Sequence, residues 1–184
     1  MEEVETKGML TQDFYYTALI LAKHSSMTPP EERQSLIDFI NEYRYSGFAW
    51  VGFFAIPQPL QTAMGINLLK ALNVSDVDAP ANWLLSLTDG GWGLLINYPF
   101  TIMSSPPDVP TTLLVLEALS GGVASEDELE PHLDWLLAQR LENGLWGGHY
   151  KTSVDLFGQV TTAPPPRLST PLGRLNCSGN MDMA

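Results

Sequence analysis

The chain has 184 residues, 45% of them hydrophobic and five of them Trp, enough for one domain with a sizeable core and too short for two comfortable ones. Its formal net charge is −12 and its nine Lys and Arg are scattered, so no basic stripe exists to neutralise a nucleic-acid backbone or grip a diphosphate. The single cysteine, Cys177, excludes an internal disulfide and a cysteine-based metal cluster.

In chain order, residues 1–10, MEEVETKGML, form an acidic segment without the basic-then-apolar pattern of a signal peptide. A first helix is predicted over 13–24, in DFYYTALILAKH. It is apolar on nearly every face, the mark of a helix buried on all sides. PPEE then starts a second helix, 31–45, whose apolar positions recur three and four apart with charge between them. The segment closes on Gly47 and Trp50.

The same unit follows twice more. After the connector IPQP, the predicted helices are 60–73 (in QPLQTAMGINLLKALN) and 79–88 (in PANWLLSL), ending on Gly90-Gly91 and Trp92. After SSPPDVP they are 110–120 (in DVPTTLLVLEAL) and 128–141 (in PHLDWLLAQRL), ending on Gly144 and Trp146. Each glycine is expected to cap its helix in the left-handed conformation. Each first helix carries a polar residue, three others, then Thr: Asp13 and Thr17, Gln58 and Thr62, Asp108 and Thr112. The Thr spacing sets a period of about 45 to 50 residues, that of a helical-hairpin repeat. Repeats then run about 11–52, 57–94 and 106–148 within a domain 11–150. The Pro- and Gly-rich residues 151–184 are expected to be an extended tail. The apolar runs GFAWVGFFAIP and LLINYPFTIM are far below the roughly 20 residues of a spanning helix. A soluble, cytoplasmic protein is expected, with no transmembrane segment and peripheral membrane contact at most. The sequons NVS and NCS are then chance.

Trp135, Leu136, Leu137, Gln139, Gly144 and Trp146 form a pattern that resembles the QW repeat of squalene–hopene and oxidosqualene cyclases. Trp83, Leu84, Leu85, Gly91 and Trp92 carry it without the glutamine, and Gly47 and Trp50 more weakly. The first helices are similar to those of the cyclases and of protein prenyltransferase β-subunits, so the resemblance covers about residues 11 to 150. It implies an all-α fold: three helical hairpins forming part of an α/α toroid, with an extended Pro-rich C-terminal tail. In the family the QW elements stabilise and do not catalyse. A closed ring of this type takes about five to seven hairpins, so three make an arc with uncovered flanks. Self-association is expected, as a homodimer of two facing arcs around a shared apolar cavity. The alternative is a hetero-oligomer whose partner supplies the missing hairpins.

The resemblance also implies chemistry. Cyclases protonate an alkene or epoxide with an Asp-x-Asp-Asp cluster, typically P-D-V-D-D-T-A, whereas Pro107 to Leu113 reads PDVPTTL. Asp108 survives, and the family's proton donor is replaced. Asp108, and Asp13 at the same place in its repeat, are the candidate acids, with helix capping as their plainer role. His149 in WGGHY is a third candidate. Prenyltransferase zinc needs Asp, Cys and His, and Cys177 lies outside the repeats, while His24, His132 and His149 lack ligand spacing. Neither metal nor cofactor is expected. Aromatic faces that could line a cavity for an apolar chain or a cation are Tyr15, Tyr16, Trp50, Phe53, Trp92, Tyr98, Phe100 and Trp146. The resemblance thus implies a class II terpene cyclase-like isomerase or lyase, or a protein that only binds, acting on a neutral apolar or polyene substrate. The alternative is a non-catalytic toroid-type scaffold that completes a cavity with a partner.

Overall fold

The computed structural model describes residues 10–24, 28–52, 55–98 and 101–146, and the backbone of 151–154 and 160–163. In chain order the elements are α1 (Gln12–Lys23), α2 (Pro30–Glu42), β1 (Arg44–Tyr45), β2 (Ala49–Trp50), α3 (Pro59–Ala71), α4 (Asp78–Leu85), β3 (Leu95–Tyr98), β4 (Thr101–Ser104), α5 (Val109–Leu119), α6 (Glu126–Ala138), β5 (Lys151–Val154) and β6 (Val160–Ala163). Among the described residues the architecture is mostly helical, and the helices fall where the apolar spacing places them. It is not all-α. Three two-stranded antiparallel ribbons, β1–β2, β3–β4 and β5–β6, punctuate the helices.

The ribbons explain why the outer helices stop about three residues short of the predicted ends. After Glu42 and after Ala138 the chain turns back on itself, pairing Arg44 with Trp50 and Arg140 with Trp146. Gly47 and Gly144 take positive φ within these reversals rather than capping a helix. Gly90 and Gly91 do not adopt positive φ at all. Gly91 is required by proximity instead, since a Cβ there would stand 2.6 Å from the Trp135 ring.

The LLINYPFTIM run, in place of a plain connector, holds β3–β4, with Leu95 opposite Ser104 and Tyr98 opposite Thr101. The expected extended tail starts as a paired ribbon, Lys151 opposite Ala163. Residues 164–184 lie outside the described residues.

The core is a row of inner helices, α1 against α3 and α3 against α5. α3 is central: nine of its thirteen residues are buried, polar Gln61 and Thr62 among them. α5 is buried nearly as well, through Val115, Leu116, Ala118 and Leu119. α1 departs from the expectation of a helix buried all round. Only Tyr15, Ala18 and Ala22 are buried, and Tyr16, Ile20 and Leu21 face outward, because no hairpin precedes it among the described residues. α2 leans on α1 through Phe14 and Phe39, with ring centroids 5.2 Å apart.

Among the described residues, side chains cap the N-termini of three helices and the C-terminus of one. Thr11 caps α1, Asp108 caps α5, and Ser125 with Glu128 forms a capping box on α6. From α3, Lys70 Nζ donates to the carbonyls of Glu117, Ala118 and Ser120 at 3.1, 3.0 and 2.8 Å, closing the C-terminus of α5.

Two outcomes follow. A Cβ at Gly65 would lie 2.5 Å from the Trp50 ring. Gly65→Ala should therefore cost about 1–3 kcal/mol by overpacking, read from urea denaturation. The second concerns acid. Glu128 accepts from Ser125 N and Oγ at 2.8 and 2.7 Å, and these bonds hold its carboxyl below the usual range. A depressed folded pKa contributes stability above the unfolded value that is lost as pH falls through the folded one. Amide protection in the first turn of α6, taken relative to the unstructured exchange rate at each pH, should therefore fall on acidification below the ordinary glutamate range, and Glu128→Gln should flatten that response.

Candidate functional site

The side chains that the repeat pattern singles out converge at two joints of the same design. At the first joint, Trp50 N donates to Thr62 Oγ1 at 3.1 Å, and Trp50 O accepts from Gln58 N at 3.0 Å. The indole Nε1 donates back to Ile40 O of α2 at 2.9 Å. At the second, Trp92 N donates to Thr112 Oγ1 at 3.0 Å, and Trp92 O accepts from Asp108 N at 3.0 Å. Its Nε1 donates to Leu84 O of α4 at 2.9 Å. Each Trp thus ties its own outer helix to the next inner helix. Thr62 and Thr112 are wholly buried, and both Trp are 1% exposed.

Outer contacts complete each joint. Trp83 of α4 lies against Phe48 in the first reversal, with centroids 6.0 Å apart. Trp135 of α6 covers Gly90 and Gly91 in the second. His132, one turn before Trp135, stacks on Trp92 at 4.1 Å and places Nδ1 on the Gly90 carbonyl. Arg44 sits over the Trp50 ring at 5.1 Å and pairs with Asp76 at 2.8 Å.

The third Trp stands at an open end. Trp146 Nε1 donates to Leu136 O at 2.7 Å, and Arg140 lies over its ring at 5.7 Å, as at the first joint. Trp146 remains 39% exposed.

The candidate acids are separate and occupied. Asp108 Oδ1 accepts from Thr111 N at 2.8 Å and Oδ2 from Thr111 Oγ1 at 2.9 Å, so both oxygens serve the start of α5. Asp13 lies exposed in the first turn of α1, whose cap is Thr11. Tyr15 is buried with no hydrogen-bond partner for its hydroxyl among the described residues, and that burial raises its pKa. Tyr16 is half exposed on α1. Trp50 and Trp92, expected to line a cavity, are both joint residues, and of the two Trp92 also borders a cleft. Tyr98 lies in β3 with its side chain outside the described residues, as Phe53, Phe100 and His149 lie outside them entirely.

Beside the second joint is an open cleft of about 330 Å³, bordered by Pro59, Leu87, Thr88, Trp92, Leu95 and Pro107. Its size is that of a small ligand pocket. One wall is held by Gln58, a residue that composition does not single out. Its amide donates to Leu95 O at 2.7 Å and accepts from Leu95 N at 2.9 Å, pinning β3 to the start of α3. The signal was there: Gln58 fills in the second repeat the place of Asp108 in the third. His132 had no such signal, since only the fold brings it to Trp92. Among the described residues no group of three His, Cys, Asp or Glu could hold a metal ion. No family model, characterised protein or solved structure matches the chain.

The joints carry a stability forecast. Thr112→Val strands the buried Trp92 N–H and should cost about 1–3 kcal/mol, whereas Thr17→Val, at an exposed site, should stay within about 0.5 kcal/mol. Denaturation of both variants in dilute solution tests the contrast.

Proposed function

We propose that this chain is a segment of a terpenoid-cyclase-like α/α toroid that binds a neutral apolar or polyene ligand without catalysing its cyclisation, completing the cavity with a partner. The observation that carries this reading is the state of Asp108. A general acid must present a protonated oxygen to its substrate. Here one oxygen is taken by the Thr111 backbone N–H and the other by the Thr111 hydroxyl, so both are engaged at the start of α5 rather than turned to a ligand. Asp13, on the open face of α1, offers no enclosed site for protonating an alkene. The cleft beside Trp92, lined by apolar side chains with Thr88, Ser104 and Ser105 and by no cationic one, suits a neutral ligand over a diphosphate. No helix among the described residues is long and apolar enough to cross a membrane.

A catalytic reading keeps one support. The three Trp devices repeat in the register of the cyclases, and cyclases work on such chains. Incubation with squalene-like polyenes and with prenyl diphosphates, followed by mass spectrometry and Trp fluorescence, separates the readings. Expected is saturable binding of the polyene with no new product, unchanged in Asp108→Asn. A cyclised product that Asp108→Asn abolishes would establish catalysis, and Zn²⁺-dependent turnover of a diphosphate would remove the neutral-ligand assignment.

A further inference from the structure

The two ends of the helical array are the two halves of a joint the molecule already makes twice. At both internal joints the upstream face of the next inner helix is covered. In α3 that face is Gln61, Thr62, Gly65 and Ile66, and in α5 it is Thr111, Thr112, Val115 and Leu116, all buried. The same register in α1 gives Tyr16, Thr17, Ile20 and Leu21, all exposed, with Ile20 at 61%. The downstream half shows the mirror situation. The residue before the joint Trp is Ala49 at the first joint and Gly91 at the second, both buried beneath the following hairpin. At the third it is Leu145, 64% exposed, beside Trp146.

The bonding groups match as well as the surfaces. Trp146 repeats the indole bond and the arginine of Trp50, so its ring is held in the attitude the internal joints use. Thr17 carries the hydroxyl that Thr62 and Thr112 spend on a Trp N–H. Asp13 lies in the first helical turn, where backbone N–H groups have no intrahelical acceptor and one could reach a Trp carbonyl. Phe39 stands in α2 eleven residues before Trp50, as Trp135 stands eleven before Trp146, and it is exposed where a preceding reversal would cover it.

We propose that a second copy of this chain docks head to tail, the Trp146 edge of one copy against the α1 face of the other, with Trp146 N donating to Thr17 Oγ1 of the second copy. The proposal names the partner in the binding-subunit reading and rests on it in that respect. Two copies joined at both ends leave neither the α1 face nor the Trp146 edge uncovered, the closed two-fold arrangement. The net charge of −12 on each copy opposes the contact, so added salt should strengthen it.

The test uses the full chain and two single substitutions at exposed positions, Ile20→Glu on the head and Leu145→Glu on the tail, each checked for folding by circular dichroism. Light scattering should give twice the 20.3 kDa chain mass for the unmodified protein, and more of that species at higher salt. Each variant alone should remain at the single-chain mass. An equimolar mixture should recover the double mass, because the live tail of Ile20→Glu meets the live head of Leu145→Glu. Thr17→Val should weaken self-association about fivefold. An unmodified chain that stays single at every concentration, its own residues 164–184 covering the edge included, overturns the proposal. So does a variant that pairs by itself, or a mixture that does not recover. The readout is mass, so polyene turnover by a head-to-tail dimer would defeat the non-catalytic reading alone, and a strict monomer that binds polyene would defeat the docking alone.

Discussion

Everything in this molecule is arranged around a backbone N–H of Trp that donates to a buried Thr hydroxyl. A buried N–H left without an acceptor is costly, and so is a buried hydroxyl without a donor. Pairing them across two hairpins satisfies both groups with one bond and fixes the register between repeats. The large Trp ring then fills the space beside that bond, and at the first joint Gly65 leaves room for it. Stability accumulates from such nearest-neighbour joints rather than from a single long-range core. That is why α3, with a joint on each side, is the most deeply buried helix.

Much of this was legible in the residues, for identifiable reasons. Helix positions follow from apolar spacing, and Thr62 and Thr112 sit at their joints because each lies one turn after the residue, Gln58 or Asp108, whose amide meets the Trp carbonyl. The ribbons were not legible. LLINYPFTIM is too uniformly apolar to show a period of two, and the two-residue β1 and β2 are set by the Arg44 and Trp50 contact, not by propensity. The glycines misled in an instructive way. Gly90 and Gly91 look like a helix stop, but the Trp135 ring, 44 residues away in the chain, is what leaves no room for a side chain. The burial of α1 was overestimated because helix composition records which surface is apolar, not whether a neighbour is present to cover it.

At the start of α5 the sequence commits a carboxylate to the helix itself. Thr111 supplies both an N–H and a hydroxyl to Asp108. Pro110 beside it fixes the first turn without needing an acceptor. The result is a firm N-cap with its lone pairs spent inward. The sequence offered two roles for Asp108, acid and helix cap, and the structure places it at the N-cap. That distinction depends on hydrogen-bond partners, which spacing alone does not reveal.

The connections that leave each joint and return to it differ greatly in length while sharing one base. The Trp50 carbonyl meets the Gln58 amide, and the Trp92 carbonyl meets the Asp108 amide across about twice the span. Doubling such a loop adds only about 0.6 kcal/mol of closure entropy. The ribbon tips are thus places where residues could be inserted or exchanged over evolutionary time at little energetic cost, while the anchoring bond at the base holds the hairpins in the same relation. A lineage could reshape these connections without rebuilding the helical scaffold beneath.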